Sequence, residues 1–198
     1  MTARRSGRRP GDSGTRAAIL DAARESFGAS GYAGTTIRGI ARTAGVDSAL
    51  VHRFFGTKES LFGACMELPF DPAELVPRIL AGGPVGLGER LVRTFLGIWD
   101  ATPGQGPMLA LLRSAVADEA GAASLREFVT RALFAPLAKA VGADHAELRA
   151  SLVGSQVVGL AVARYVVRLE PLASATPDEL APVLGRTIDA YLSGPLPA

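Results

Sequence analysis

A chain of 198 residues, 48% of them hydrophobic, is long enough to bury one large core or two small ones. Its single cysteine, Cys65, excludes an intrachain disulfide framework and a cysteine-based zinc site, and suits a reducing cytoplasm. The net charge of +2 conceals a division: residues 1–58 carry ten Lys/Arg against four Asp/Glu, and the remainder 11 against 15, as expected for a polyanion-binding head on an acidic, apolar body.

Residues 1–13 form a basic arm with Arg4, Arg5, Arg8 and Arg9. Small and polar residues follow it in place of an apolar run, so no secretory signal is expected. The arm is expected to be disordered without a partner, serving to track phosphates, to enter a minor groove or simply to solubilise.

Apolar spacings of three and four, broken by turn signals, predict helices throughout and no strands. The first runs from Thr15 as N-cap to about Gly31 and buries Ile19, Leu20, Ala23 and Phe27. A second covers Ile37 to about Ala44 and is stopped by Gly45, and a third covers about Asp47 to Phe55. Gly56 ends the third before Thr57 caps a fourth. Residues 14–62 are thus a helix-turn-helix domain, and residues 63–198 a larger helical body of about six further helices. The stretch from Glu147 to Leu169 is apolar, but Gln156 and Arg164 inside it favour burial in a soluble helical body over a membrane.

Two choices in the head run against local stability. Arg38 follows the capping Thr36 and Lys58 follows the capping Thr57, although helix starts prefer acidic residues, at a cost of about 0.3–1 kcal/mol each. Arg16 repeats the pattern after Thr15. Such cations are well placed if a phosphate oxygen sits at each helix start. On the third helix, Val46, Leu50, Val51, Phe54 and Phe55 form an apolar side. Ser48, Ala49, His52 and Arg53 share the other, where small residues admit base edges closely and the larger two supply donors.

These residues carry a resemblance. Residues 15–62, "TRAAILDAARESFGASGYAGTTIRGIARTAGVDSALVHRFFGTKESLF", resemble the DNA-binding domain of the tetracycline-repressor (TetR) family of bacterial transcriptional regulators. The likeness lies in the "ILDAA…F…G" helix, the "TTIRGIARTAGV" helix and turn, and the "F-x-x-K-E-x-L" entry to the fourth helix. It implies an all-α homodimer whose heads bind a palindromic double-stranded operator, above a divergent ligand-binding body. It also implies that Thr36, Arg38, Ser48, Ala49, His52, Arg53 and Lys58 contact DNA. His52 departs from the tyrosine usual at its position, and Gly56 from the proline found in many members.

In the body, Ser151, Ser155, Gly159 and Ala163 form a small-residue row at i+4 spacing, expected to receive a partner helix in a dimer. The resemblance suggests that a helix over about Ser124 to Val141 shares this interface; packing within the monomer is the alternative, and the final helix, about Pro177 to Leu192, is expected to cover the row. Phe62, Met66, Phe95, Trp99, Met108, Leu112 and Phe128 are candidates for an apolar ligand cavity, although such sets are more often plain core. Arg113 either meets a ligand carboxylate or pairs with Asp118 or Glu119.

No metal-spaced cluster, phosphate-cradling loop or nucleophile–base arrangement is apparent, so neither a cofactor nor catalysis is expected. The expected function is a cytoplasmic, ligand-responsive DNA-binding regulator, a homodimeric repressor released by a small apolar or amphipathic effector. The alternatives are a small-molecule-binding helical protein or a constitutive DNA binder without effector.

Overall fold

The computed structural model describes residues 11–101, 106–117 and 119–196. The basic arm before residue 11, most of the turn at 102–107 and Asp118 lie outside the described residues. Among the described residues every regular element is helical, and no helix is long and apolar enough to cross a membrane.

Four helices build the head: α1 (Gly11–Gly34), α2 (Ile37–Thr43), α3 (Ser48–Phe55) and α4 (Lys58–Cys65). Helix α1 begins at least four residues before Thr15, so Thr15 is an interior residue and Arg16 is not in a first turn. The Arg16 guanidinium instead lies 5.0 Å from the centre of the Phe55 ring, a cation–π contact that accounts for it without an anion. Gly31 breaks α1 with φ +67° and ψ 178°, a conformation closed to side-chain-bearing residues. The buried Thr35 hydroxyl clasps this break, sharing its single proton between the carbonyls of Ser26, at 2.9 Å, and Gly31, at 2.8 Å. Caps then set the short helices: Thr36 accepts from Gly39 N, Asp47 from Ala49 N and Thr57 from Ser60 N. Gly45, at φ +67°, turns the chain between α2 and α3. Ile19, Ala23, Phe27, Ile40, Val51, Leu61 and Phe62 are buried together beneath these helices.

The body comprises α5 (Pro72–Leu80), α6 (Leu87–Ala101), α7 (Gly106–Ala117), α8 (Glu119–Glu127), α9 (Ala135–Ala140), α10 (Ala146–Ala161) and α11 (Pro177–Ser193). The expected helix over 124–141 is not uniform: a π-helical stretch, Phe128–Phe134, joins α8 to α9. Pro136 supplies a reason, since it lacks the N–H an α-helix would use there, and the widened turn instead directs the Ala135 N–H to the Thr130 carbonyl. A second π-helical stretch, Val162–Val166, extends α10.

Two buried arginines fasten the ends of α10. Arg149 donates to Asp144 and, at 2.7 Å, to the Tyr191 carbonyl on α11. Arg164 donates to the carbonyls of Leu172, at 2.6 Å, and Ala175, at 2.7 Å. Where α6 and α11 cross, Gly88 meets Gly185 backbone to backbone, and the Gly88 N–H donates to the Asp189 carboxylate at 2.7 Å. A Cβ on Gly185 would stand 2.6 Å from the Glu89 nitrogen. Gly185→Ala is therefore expected to destabilise the body by about 1–3 kcal/mol, the usual cost of overpacking, read as a lower urea midpoint at unchanged slope.

Candidate nucleic-acid interface and ligand chamber

Thr36, Arg38, Ala49, His52 and Arg53 are all exposed on the outer surface of α2 and α3, and Ser48 is half-buried beside them. The opposite side of α3 is held by buried Val51 and Phe55, which fixes the helix against the head core. Neither α2 nor α3 has an acidic residue in its first turn. The Arg53 guanidinium lies 5.7 Å from the centre of the Phe54 ring, which supports it at the surface.

His52 is more constrained than its sequence position suggests. Its Nδ1 sits 2.7 Å from the Gly56 carbonyl oxygen. Because a carbonyl only accepts, Nδ1 carries the proton, and the outward Nε2 of the neutral ring is an acceptor. The neutral side chain thus suits an exocyclic amine of adenine or cytosine in the major groove. It donates to phosphate only as imidazolium.

Lys58 departs from the expected outward placement. Its ammonium lies 4.4 Å from the centre of the Tyr32 ring, half-buried at the seam between head and body. Burial holds its pKa below the usual lysine value against the pull of Glu59 and Glu127, with Arg131 adding to the lowering. The same seam contains a bond from the Tyr32 hydroxyl to Glu59, at 2.8 Å, and the Glu127 carboxylate accepting from the Ala33 N–H just after the α1 break. Phe27, Tyr32 and Phe62 of the head gather there with Phe128 of the body. The Phe62 and Phe128 ring centres are 4.6 Å apart.

Inside the body a chamber of about 130 Å³ opens among α5, α6, α7, α10 and the first π-helical stretch. Phe95, Trp99, Met108, Leu112 and Phe128 line it. Phe62 and Met66 do not: they turn toward the head core, because the buried side of α4 faces α1. Arg113 is exposed on α7 and is not among the lining residues, and Glu119 pairs with Arg126 at 3.3 Å. Sequence reasoning missed most of the wall, Leu75, Thr94, Val129, Leu133 and Val157 among it, since helical spacing says only that such residues face inward.

The small-residue row behaves unevenly. Ser151, Ser155 and Gly159 are exposed on α10, and a Cβ on Gly159 would meet nothing. Ala163 is half-buried, because the π-helical turn that starts at Val162 changes the register and leaves Val162 and Val166 exposed instead. Helix α11 packs chiefly on α6 and leaves the row uncovered, contrary to expectation. The 124–141 segment buries Phe128, Ala132, Phe134, Leu137 and Ala138 within its own chain, so those residues are not available to a partner.

Among the described residues no group of three His, Cys, Asp or Glu is arranged to hold a metal. The Cys65 thiol is buried and its pKa is pushed up to about 11 by that burial, which keeps it protonated and unreactive.

Comparison with known proteins places these features. Residues 19–65 match the family described as bacterial regulatory proteins, tetR family. Residues 86–192 match the family described as tetracyclin repressor-like, C-terminal domain. A TetR-family regulator of known structure from Streptomyces coelicolor A3 is 42% identical over 94% of this chain and 99% of that one, with a TM-score of 0.47. Salmonella enterica GusR is 22% identical over 94% of this chain and 96% of that one, with a TM-score of 0.38. An HTH-type transcriptional repressor of Mycobacterium tuberculosis is 49% identical over 51 residues, 26% of this chain and 27% of that protein. The chain therefore matches about a quarter of the length of that curated relative.

The seam carries a pH signature. Burial raises the Glu59 pKa, but bonds from its own backbone N–H, Tyr32 and Thr57, together with Lys58, outweigh it and hold the carboxyl below the usual glutamate value. A depressed folded-state pKa contributes stability above the unfolded value, near 4.3, that is lost as pH falls through the folded value. Tyr32→Phe is expected to cost about 1.5 kcal/mol at pH 7 and to flatten the loss of stability below pH 5. Urea unfolding followed by circular dichroism across pH 3–7 measures both.

Proposed function

The chain belongs to the TetR family of bacterial regulatory proteins, and from that membership we propose that it is a homodimeric repressor of a palindromic operator, released by a small effector bound in its body. The observation that carries the reading is the outward surface of α2 and α3, where Arg38, His52 and Arg53 stand exposed beside small Ala49 while the reverse side of α3 is locked into the core. In this reading α3 enters the major groove, His52 and Arg53 meet base edges or phosphate, and Arg38 with the Thr36 cap meets the backbone. Lys58 reaches phosphate only by leaving the Tyr32 ring, so its net contribution is smaller than that of either arginine.

Two heads bind together only if their α3 helices lie one helical turn of DNA apart, roughly 34–36 Å. The uncovered stripe of Ser151, Ser155 and Gly159 on α10, continued by Val162 of the second π-helical stretch, supports a helix-on-helix dimer that sets this spacing. Release is transmitted through Phe128, which lines the chamber and also belongs to the head core. Its neighbour Glu127 holds the Ala33 N–H, so a displaced Phe128 moves both of these links to the head. Full switching from bound to released needs about 5.5 kcal/mol of effector preference for the released arrangement.

Arg38→Ala and Arg53→Ala are each expected to weaken binding to the DNA upstream of the protein's own gene and to reduce the log–log salt slope by about 1 for each phosphate no longer neutralised. Lys58→Ala should have the smaller effect; gel shifts at several salt concentrations read all three, and unchanged affinity in both arginine variants would refute the assignment. Ser155→Arg is expected to turn the dimer into a folded monomer, seen by light scattering after gel filtration, with operator affinity falling at least tenfold. A Ser155→Arg protein that remains dimeric would exclude this face of α10.

A further inference from the structure

The effector's chemical class is written in the chamber wall, and this inference rests on the regulator reading above. None of the described lining residues is charged; Thr94 supplies their only hydroxyl and Trp99 their only indole N–H. A chamber of about 130 Å³ is close in size to apolar cavities of roughly 150 Å³ that stay dry and accept benzene. An apolar group of about one six-membered ring or six carbons therefore fills it.

The chamber has a neighbour. A wide groove between α5 and α6 shares Phe70, Leu75, Thr94 and Ile98 with it, so Thr94 stands at the boundary of chamber and groove. The groove's charged residues are Asp71, Glu74, Arg78 and Arg93. Asp71 already accepts from the Ser60 hydroxyl and Ala73 N–H, and Arg93 already pairs with Glu89 and Asp178. With both signs present and two of the four engaged, the groove selects neither an anion nor a cation. A charged group inside the chamber would lose its water with no counter-ion in return.

We propose that the chamber takes an uncharged, mainly apolar molecule of about six carbons carrying one hydrogen-bonding group, with that group seated at Thr94. Small neutral alcohols and carbonyl compounds fit this description, whereas carboxylates, ammonium compounds and long acyl chains do not.

Trp99 is the only tryptophan of the chain and lines the chamber, so its emission reports occupancy in the full-length protein. 1-Hexanol, hexanoate, hexylammonium and 1-dodecanol are titrated at pH 7, excluding micellar concentrations. The expected result is saturable change with 1-hexanol and at least tenfold weaker binding of the other three. Thr94→Val should lower hexanol affinity at least threefold more than it lowers cyclohexane affinity. Val157→Phe, or Leu112→Phe if the first variant fails to fold, should fill the space and abolish the hexanol response. Hexanoate, hexylammonium or dodecanol binding as well as hexanol overturns the proposal, as does a filled variant that still responds or the lack of saturation with any probe. Gel shifts with the unaltered protein keep the two readings apart: intact operator binding beside a failed ligand test sinks only the ligand class, and absence of operator binding sinks the regulator reading.

Discussion

Head and body are joined by an aromatic contact, and the rest of the architecture is arranged around it. Phe62 of α4 lies 4.9 Å from Phe27, 5.1 Å from Tyr32 and 4.6 Å from Phe128, centre to centre. The first two contacts are edge-on, and such pairs add about 0.5–1.5 kcal/mol each beyond the area they bury. Three of the four rings come from the head and the fourth from the body, so neither part completes its packing alone. The seam is polar only at its margin, where Tyr32 meets Glu59, Glu127 meets the Ala33 N–H and Lys58 covers the Tyr32 ring. Phe128 is therefore packed against both parts at once.

The departures from regular helix cluster near the same place. The π-helical stretch at Phe128–Phe134 supplies Phe128, Val129, Leu133 and Phe134 to the chamber wall. The second stretch brings Tyr165 to stack on Trp99 with ring centres 4.6 Å apart, and the Tyr165 hydroxyl donates to Asp100. Such turns are less stable than α-helix and recur at functional sites. Here they shape the wall of the chamber. Arg164, buried behind Tyr165 with its Nε lacking a hydrogen-bond partner among the described residues, shows the same preference for a fixed local geometry over full hydrogen-bond satisfaction.

Charge is distributed to match. Arg38, Arg42 and Arg53 stand exposed on the head, with α2 and α3 lacking acidic residues in their first turns. Arg90, Arg149 and Arg164 of the body are consumed by loop and helix-end carbonyls. The same residue type thus does two jobs, and the exposed set on the head is disposed toward an external polyanion.

Much of this is legible in the residues themselves. Periodicity, capping threonines and Gly45 mark the head helices to within a residue or so, because helix ends are local choices made by side chains a few positions apart. The exposed positions of α3 follow from the same periodicity, since an amphipathic helix with Val51 and Phe55 inward must turn His52 and Arg53 outward. The start of α1 is the exception, as Thr15 is a competent cap that the longer helix simply does not use. What spacing cannot decide is which of several inward-facing surfaces a side chain meets. Phe62 and Phe128 look alike in sequence, yet one belongs to the head core alone and the other to both core and chamber. Lys58 turned inward because Tyr32, far back in the chain, offers its ring face there, and Ala163 left its row because a π turn intervened. Local order was determined by the sequence through interactions within a turn or two of helix. The seam, the chamber and the uncovered face of α10 were decided by tertiary packing, which depends on contacts between residues far apart in the chain.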